Sequence, residues 1–175
     1  LARGGTNGFL VPPVRGGANS QSGYWEVCTV PTGAPGNLAD RPGSTTQAVL
    51  TQHDPGAILT GSGNVYNPAG LSAFSLVDAP PFLVGTVVLQ TRTLGSELDY
   101  ASMTLSYSNL TGLHAAPPVR RVELDRTPVP GLGEAVSTLW QWNLSDQLAS
   151  SCEIRFSAAE PSASFDSLTL DTAEQ

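Results

Sequence analysis

The sequence predicts an all-β fold, a two-sheet antiparallel sandwich of jelly-roll type preceded by an extended N-terminal arm. Three observations predict it. The first is composition: 18 Gly and 14 Pro stand in 175 residues, and 13% of the chain is charged, against about 25% in an ordinary globular domain. Long surface helices need Glu, Lys and Arg on their wet face; short strands need turn-formers between them. The second is periodicity. Apolar and polar residues alternate in short runs, and no segment holds a helical period beyond two turns. The third is spacing: turn signals recur about every 10–15 residues, which leaves nine to eleven short strands.

The elements follow in order. Residues 1–22 form the arm, in which Gly4-Gly5 and Gly16-Gly17 bracket Phe9, Leu10, Val11, Pro12, Pro13 and Val14. The prolines fix φ and remove backbone donors, so the arm is extended or polyproline-like. Its apolar residues Phe9, Leu10, Val11 and Val14 are the candidate assembly contacts, docking on a neighbouring subunit or along their own sandwich. The domain proper is expected over 23–175. Its first strand begins at Tyr24, with Trp25, Val27 and Thr29 sharing a face, and residues 31–45 form a long loop rich in Pro and Gly. Short strands follow at 47–52, 57–60 and 71–77. Residues 82–93 open with apolar residues on both sides, as a central strand does. Alternation then predicts strands at 100–107, 119–126, 135–144, 153–156 and 165–171. In the last of these, Phe165, Ser167 and Thr169 are expected to oppose Asp166, Leu168 and Leu170. The best helical candidate, 146–151, is a single turn.

Charge narrows the function classes. The formal net charge is −7, there is no lysine, and the eight cations are all arginines. A phosphate backbone demands clustered basic residues. Only Arg120, Arg121 and Arg126 come close together, and Glu123 and Asp125 dilute them, so no nucleic-acid partner is expected. No apolar run reaches 18 residues, so no membrane-spanning helix is expected.

Cys28 and Cys152 are the only cysteines, near opposite ends of the chain. They are expected to form one disulfide, consistent with a secreted, extracellular protein. A chain opening at Leu1 rather than Met fits a leader already removed, and equally a trimmed sequence.

Catalytic groups are sparse. His53 and His114 are the only histidines, and no G-x-S-x-G elbow accompanies them. Glu97 with Asp99, and Glu123 with Asp125, stand i, i+2, which on a strand puts both carboxylates about 7 Å apart on one face. A wet strand face explains them as well as a glycosidase pair does. No zinc spacing is present, and no cofactor is expected. Calcium stays possible through loop carboxylates, with Asp78, Asp99, Asp166 and Asp171 as candidates. Trp140 and Trp142 share a strand face. Turned inward they belong to the core; turned outward, with Tyr107, they would make a glycan platform.

The stretches VVLQTRTLGSELDYASMTLSY (87–107) and STLWQWNLSDQLASSCEIRFSAAEPSASFDSLTLDT (137–172) resemble secreted bacterial β-sandwich domains found ahead of exosortase-type (PEP-CTERM) sorting tails. The last strand, Phe165 to Leu170, also looks like the closing strand of galactose-binding-like jelly rolls, which include many carbohydrate-binding modules. The resemblance implies a sandwich in which first and last strands lie close. The function expected from these readings is a non-catalytic, bacterial extracellular structural protein, the subunit of a surface layer, matrix or filament that self-associates partly through its arm. The alternative is a carbohydrate-binding module.

Overall fold

The computed structural model describes residues 8–174. It contains two antiparallel sheets packed face to face. The larger runs β10 (Arg120–Val129), β11 (Gly133–Asn143), β7 (Thr86–Gly95), β13 (Ala163–Ala173), β5 (Val65–Tyr66) and β4 (Ile58–Leu59). β1 (Ser20–Trp25) pairs further along the same edge of β13 as β5. The smaller runs β2 (Asn37–Leu38), β3 (Val49–Gln52), β6 (Ala73–Asp78), β12 (Ser151–Ser157), β8 (Thr104–Asn109) and β9 (Gly112–Ala116). The first and last strands pair, Ser20 opposite Ala173 and Trp25 opposite Leu168, as the jelly-roll reading expects. β1 begins at Ser20, so the sheet takes the last residues assigned to the arm.

The core is one cluster between the sheets. Leu89, Leu168, Leu170, Trp25, Trp140 and Trp142 fill it from the larger sheet; Leu50, Phe74, Leu76, Leu105, Ile154 and Phe156 fill it from the smaller. Phe74, Phe156 and Phe165 pack ring on ring, with centroids 4.5–5.7 Å apart, a geometry that adds to plain area burial.

Phe165 reaches this cluster against the simple alternation. The register of β13 on β7 slips between Phe165 and Ser167, so Phe165 faces Thr93 and Ser167 faces Arg92. This bulge absorbs Asp166 and puts Phe165 on the same side as Leu168 and Leu170. Three other expectations also shift. β1 stops at Trp25, and Val27 is half exposed rather than core. Residues 100–102 form a 3-10 turn capped by the Asp99 carboxylate, so β8 starts only at Thr104. Residues 145–148 are a turn, with Leu148 at φ +51°, not a helix.

The expected Cys28–Cys152 disulfide is not formed; both thiols are free and buried. Cys28 lies beyond β1, its N–H donating to the Gly63 carbonyl at 2.9 Å. Cys152 sits in β12 of the other sheet, opposite Asp78 and Tyr107. Each packs into the core as a small apolar group.

Candidate functional site

The larger sheet is buried on its outer face too. Val88, Gln90, Leu139, Thr169 and Asp171 point away from the core, yet all are buried. What covers them is residues 8–15, lying across the strands. Phe9 is buried with its ring 5.9 Å from that of Tyr24. The Leu10 N–H donates to Gln90 Oε1 at 2.7 Å, and Gln90 Nε2 donates to the Leu10 carbonyl at 3.0 Å. The amide of Gln90 therefore binds the arm backbone as a neighbouring strand would. It also donates to Thr169 Oγ1, which leaves it fully engaged.

Arg15 closes the contact. Its Nε and Nη2 donate to the two Asp171 oxygens at 2.5 and 2.7 Å, and Asp171 has no exposed surface. Burial pushes the Asp171 carboxyl above its ordinary range, and the Arg15 fork opposes that rise. Of the expected assembly contacts, Phe9 and Leu10 grip the chain's own sheet, while Val11 and Val14 are half-buried. A cleft of about 200 Å³ remains beside Phe9, bounded by Tyr24, Arg41 and Ser44, with the Arg41 guanidinium stacked 4.6 Å above the Tyr24 ring.

Of the two orientations weighed for Trp140 and Trp142, the structure has the inward one. Trp140 and Trp142 are 1% and 0% exposed and face the core, because their register partners Leu89 and Val87 do so. Tyr107 is buried as well, its hydroxyl donating to Gln147 Oε1 and its ring stacked on His114.

The four carboxylates weighed for calcium have separate tasks. Asp78 is buried and accepts the hydroxyls of Thr46 and Thr172, both at 3.1 Å. Asp99 caps the 3-10 turn. Asp166 accepts from Asn64 and Ser167 and faces Arg92 at 3.6 Å, and Asp171 holds Arg15. No group of three metal-ligating side chains converges among the described residues.

Glu97 and Glu123 meet, though not as the pairs expected. Both bind Arg126, which Glu134 also binds, and the Tyr100 hydroxyl donates to Glu97. Arg126 holds Glu97 and Glu123 below the usual carboxylate range. An ion-pair network of this sign keeps carboxylates charged, whereas a general acid needs its pKa raised. His53 contacts Ser75 Oγ at 2.8 Å, and His114 contacts Thr111 and Asn109.

A second concavity, missed by the sequence reading, lies at one end of the sandwich, where the β4–β5, β10–β11 and β12–β13 turns meet. It encloses about 510 Å³. Tyr66, Leu94 and Leu132 supply apolar wall; Thr60, Ser62, Ser162 and Ser164 supply hydroxyls. Asn64 ties the two sides, donating to Ser164 Oγ and Asp166 Oδ1 at 3.2 Å each and accepting from Ser62. The signal in the sequence was scattered: these groups lie in turns and at strand ends about 30–100 residues apart, and only the strand order joins them.

No family model matches this chain, and no curated protein matches it. Among solved structures, the enzymatically active domain of tailspike protein 4 from bacteriophage CBA120 is similar at 9% identity and a TM-score of 0.34. That match covers 87% of this chain, which spans only 19% of the tailspike chain.

Proposed function

We propose that the chain is a non-catalytic extracellular structural domain that associates with further copies of itself. The observation that carries this reading is the outer face of the smaller sheet. In register across it run Leu38, Val49, Val77, Glu153, Ser106 and Ala115, and beside them Ser151, Ser108 and Leu113. Leu38, Val77 and Leu113 are 58, 46 and 74% exposed. The charges on this face are Glu153 and Arg155, which neutralise each other at 3.0 Å. A sheet face with exposed aliphatic groups and a neutralised ion pair has little to lose by desolvation against a second copy. The test is the sedimentation of the full chain over a range of concentrations. The expected result is reversible association, weakened in a Val77→Glu, Leu113→Glu variant that melts like the parent. A parent monomeric up to millimolar concentration overturns the reading.

The turn-end cleft favours a second reading, carbohydrate binding. One phenol ring, two leucines and a row of hydroxyl and amide groups suit a neutral saccharide, which offers both apolar C–H faces and hydroxyl edges. Calorimetric titration with neutral oligosaccharides tests it: binding that Tyr66→Ala removes supports it, and no heat at millimolar ligand rejects it.

A further inference from the structure

We propose that the arm is an exchangeable element, docking residues 8–15 onto the outer face of the larger sheet of a second copy. The proposal rests on the self-association reading and adds a second contact, made by the arm, to the one on the smaller sheet.

The receiving face is built for an extended peptide. Gln90 reads the backbone of Leu10 through both its N–H and its carbonyl, Tyr24 receives the Phe9 ring, and the buried Asp171 receives Arg15 in a two-point fork. Each of these contacts is between the arm and the face, so each forms identically whether the arm comes from the same chain or another. The face itself is largely polar, with Gln90, Thr169 and Asp171 at its centre. When vacated, these polar groups hydrate, and the apolar surface exposed is that of Phe9, Val88 and Leu139 rather than the core between the sheets. Release therefore needs no unfolding of the sandwich.

The connector allows the exchange. Residues 16–19 are exposed, and they reverse the chain between the arm and β1 through positive φ at Gly16 (+79°) and Asn19 (+49°). Opening the turn gives up the hydrogen bonds between Asn19 and Glu174, both exposed residues at which water can replace them. Four residues, once extended, add a reach of about 13 Å. They leave from β1, the strand on the outer margin of β13, so an opened arm points off its own sheet. Two copies donating arms reciprocally close a twofold contact without new surface chemistry.

The test uses two full-length variants, Arg15→Glu and Asp171→Asn, each confirmed folded by circular dichroism. The first has a sound face and a faulty arm; the second has a sound arm and a faulty face. A faulty contact weakens the closed monomer and the exchanged dimer alike, so the decisive sample is the mixture. The 1:1 mixture is expected to recover one sound arm–face contact and to yield heterodimer in excess over both homodimers in native mass spectrometry. If the parent associates and the mixture gives homodimers and heterodimer in statistical proportion, exchange is overturned while self-association stands. If the parent does not associate, both readings fall.

Discussion

At the scale of single residues, the buried ionisable groups make the sharpest predictions. Asp78 lies between the sheets with two threonine hydroxyls as partners and no cation among the described residues, and burial raises its pKa above the ordinary carboxylate value. Between the unfolded and folded values the native chain binds more protons than the unfolded chain does, so stability falls as pH rises through that window and remains lower above it. Asp78→Asn keeps the shape, lets the amide donate to Thr172, and removes the ionisation. At pH 8 its melting temperature is expected to exceed the parent's by about 2–4 °C, the shift that ~1 kcal/mol produces in a chain of this length. At pH 3, below both the unfolded and the folded value, the gain is expected to vanish. Calorimetric melts at the two pH values measure both, and an equal gain at each would remove the titration from the explanation. The thiols make the second prediction. Burial pushes Cys28 up to about 11 and Cys152 up to about 12, with Asp40 and Asp78 adding to the respective shifts. A protonated, covered thiol does not attack a disulfide reagent. Neither thiol is expected to react with Ellman's reagent before unfolding, and both are expected to react in guanidinium. Nothing in the sequence distinguished this from a bridge. Cysteine count suggests pairing, but pairing depends on which layer each cysteine enters.

At the scale of elements, alternation located most strands because each buries one face, and it failed where a second cover or a bulge intervened. β11 is buried on nearly every residue from Ala135 to Trp142, since the core takes one side and the neighbourhood of the arm the other. The Trp140–Trp142 face was legible as apolar, but whether it pointed in or out was not, because that depends on the neighbours Leu89 and Val87. In β13 the run Phe165, Leu168, Leu170 breaks the period of two, and that break was the visible trace of the bulge. β9 went unseen because Gly112 to Ala116 is an exposed edge with no repeating apolar face to detect. The arm reads as floppy by composition and is held by tertiary contacts that composition does not encode. Its anchor can be removed singly. Arg15→Ala leaves the Asp171 carboxylate covered and unpaired, which is expected to cost about 2–3 kcal/mol at pH 7. The guanidinium is partly exposed, which places the value at the lower end of the usual range for such a loss. The cost is expected to shrink near pH 4, where Asp171 takes up a proton instead. Urea unfolding at both pH values measures it, and a pH-independent loss would assign the effect to packing of the Arg15 stem.

At the scale of the whole molecule, the fold is closed by its own ends. β13 is the last strand, yet it lies between β7 on one side and β1 and β5 on the other. β1, from the start of the chain, has β13 as its strand partner. The larger sheet is therefore incomplete until the final residues are in place, and Leu89, Trp25 and Val65 lose their neighbours Leu170, Leu168 and Phe165 without them. Such long-range pairing makes the sandwich one cooperative unit rather than a series of hairpins. A chain ending at Pro161 is expected to be unfolded throughout, including the smaller sheet, which retains all its strands. The reason is that the core is shared: Phe74 loses the Phe165 ring at 4.5 Å, and Leu168 and Leu170 are gone from the sheet opposite. The amide NMR spectrum of the truncated chain should show the narrow dispersion of an unfolded polypeptide. In the intact chain, amides of Leu89, Trp140, Leu168 and Leu170 should exchange with one common free energy equal to that of global unfolding, while those of residues 8–15 exchange through a lower opening. Truncated protein that keeps dispersed signals from β6, β8 and β12 would mean that the smaller sheet folds alone, and the single-unit account would fail.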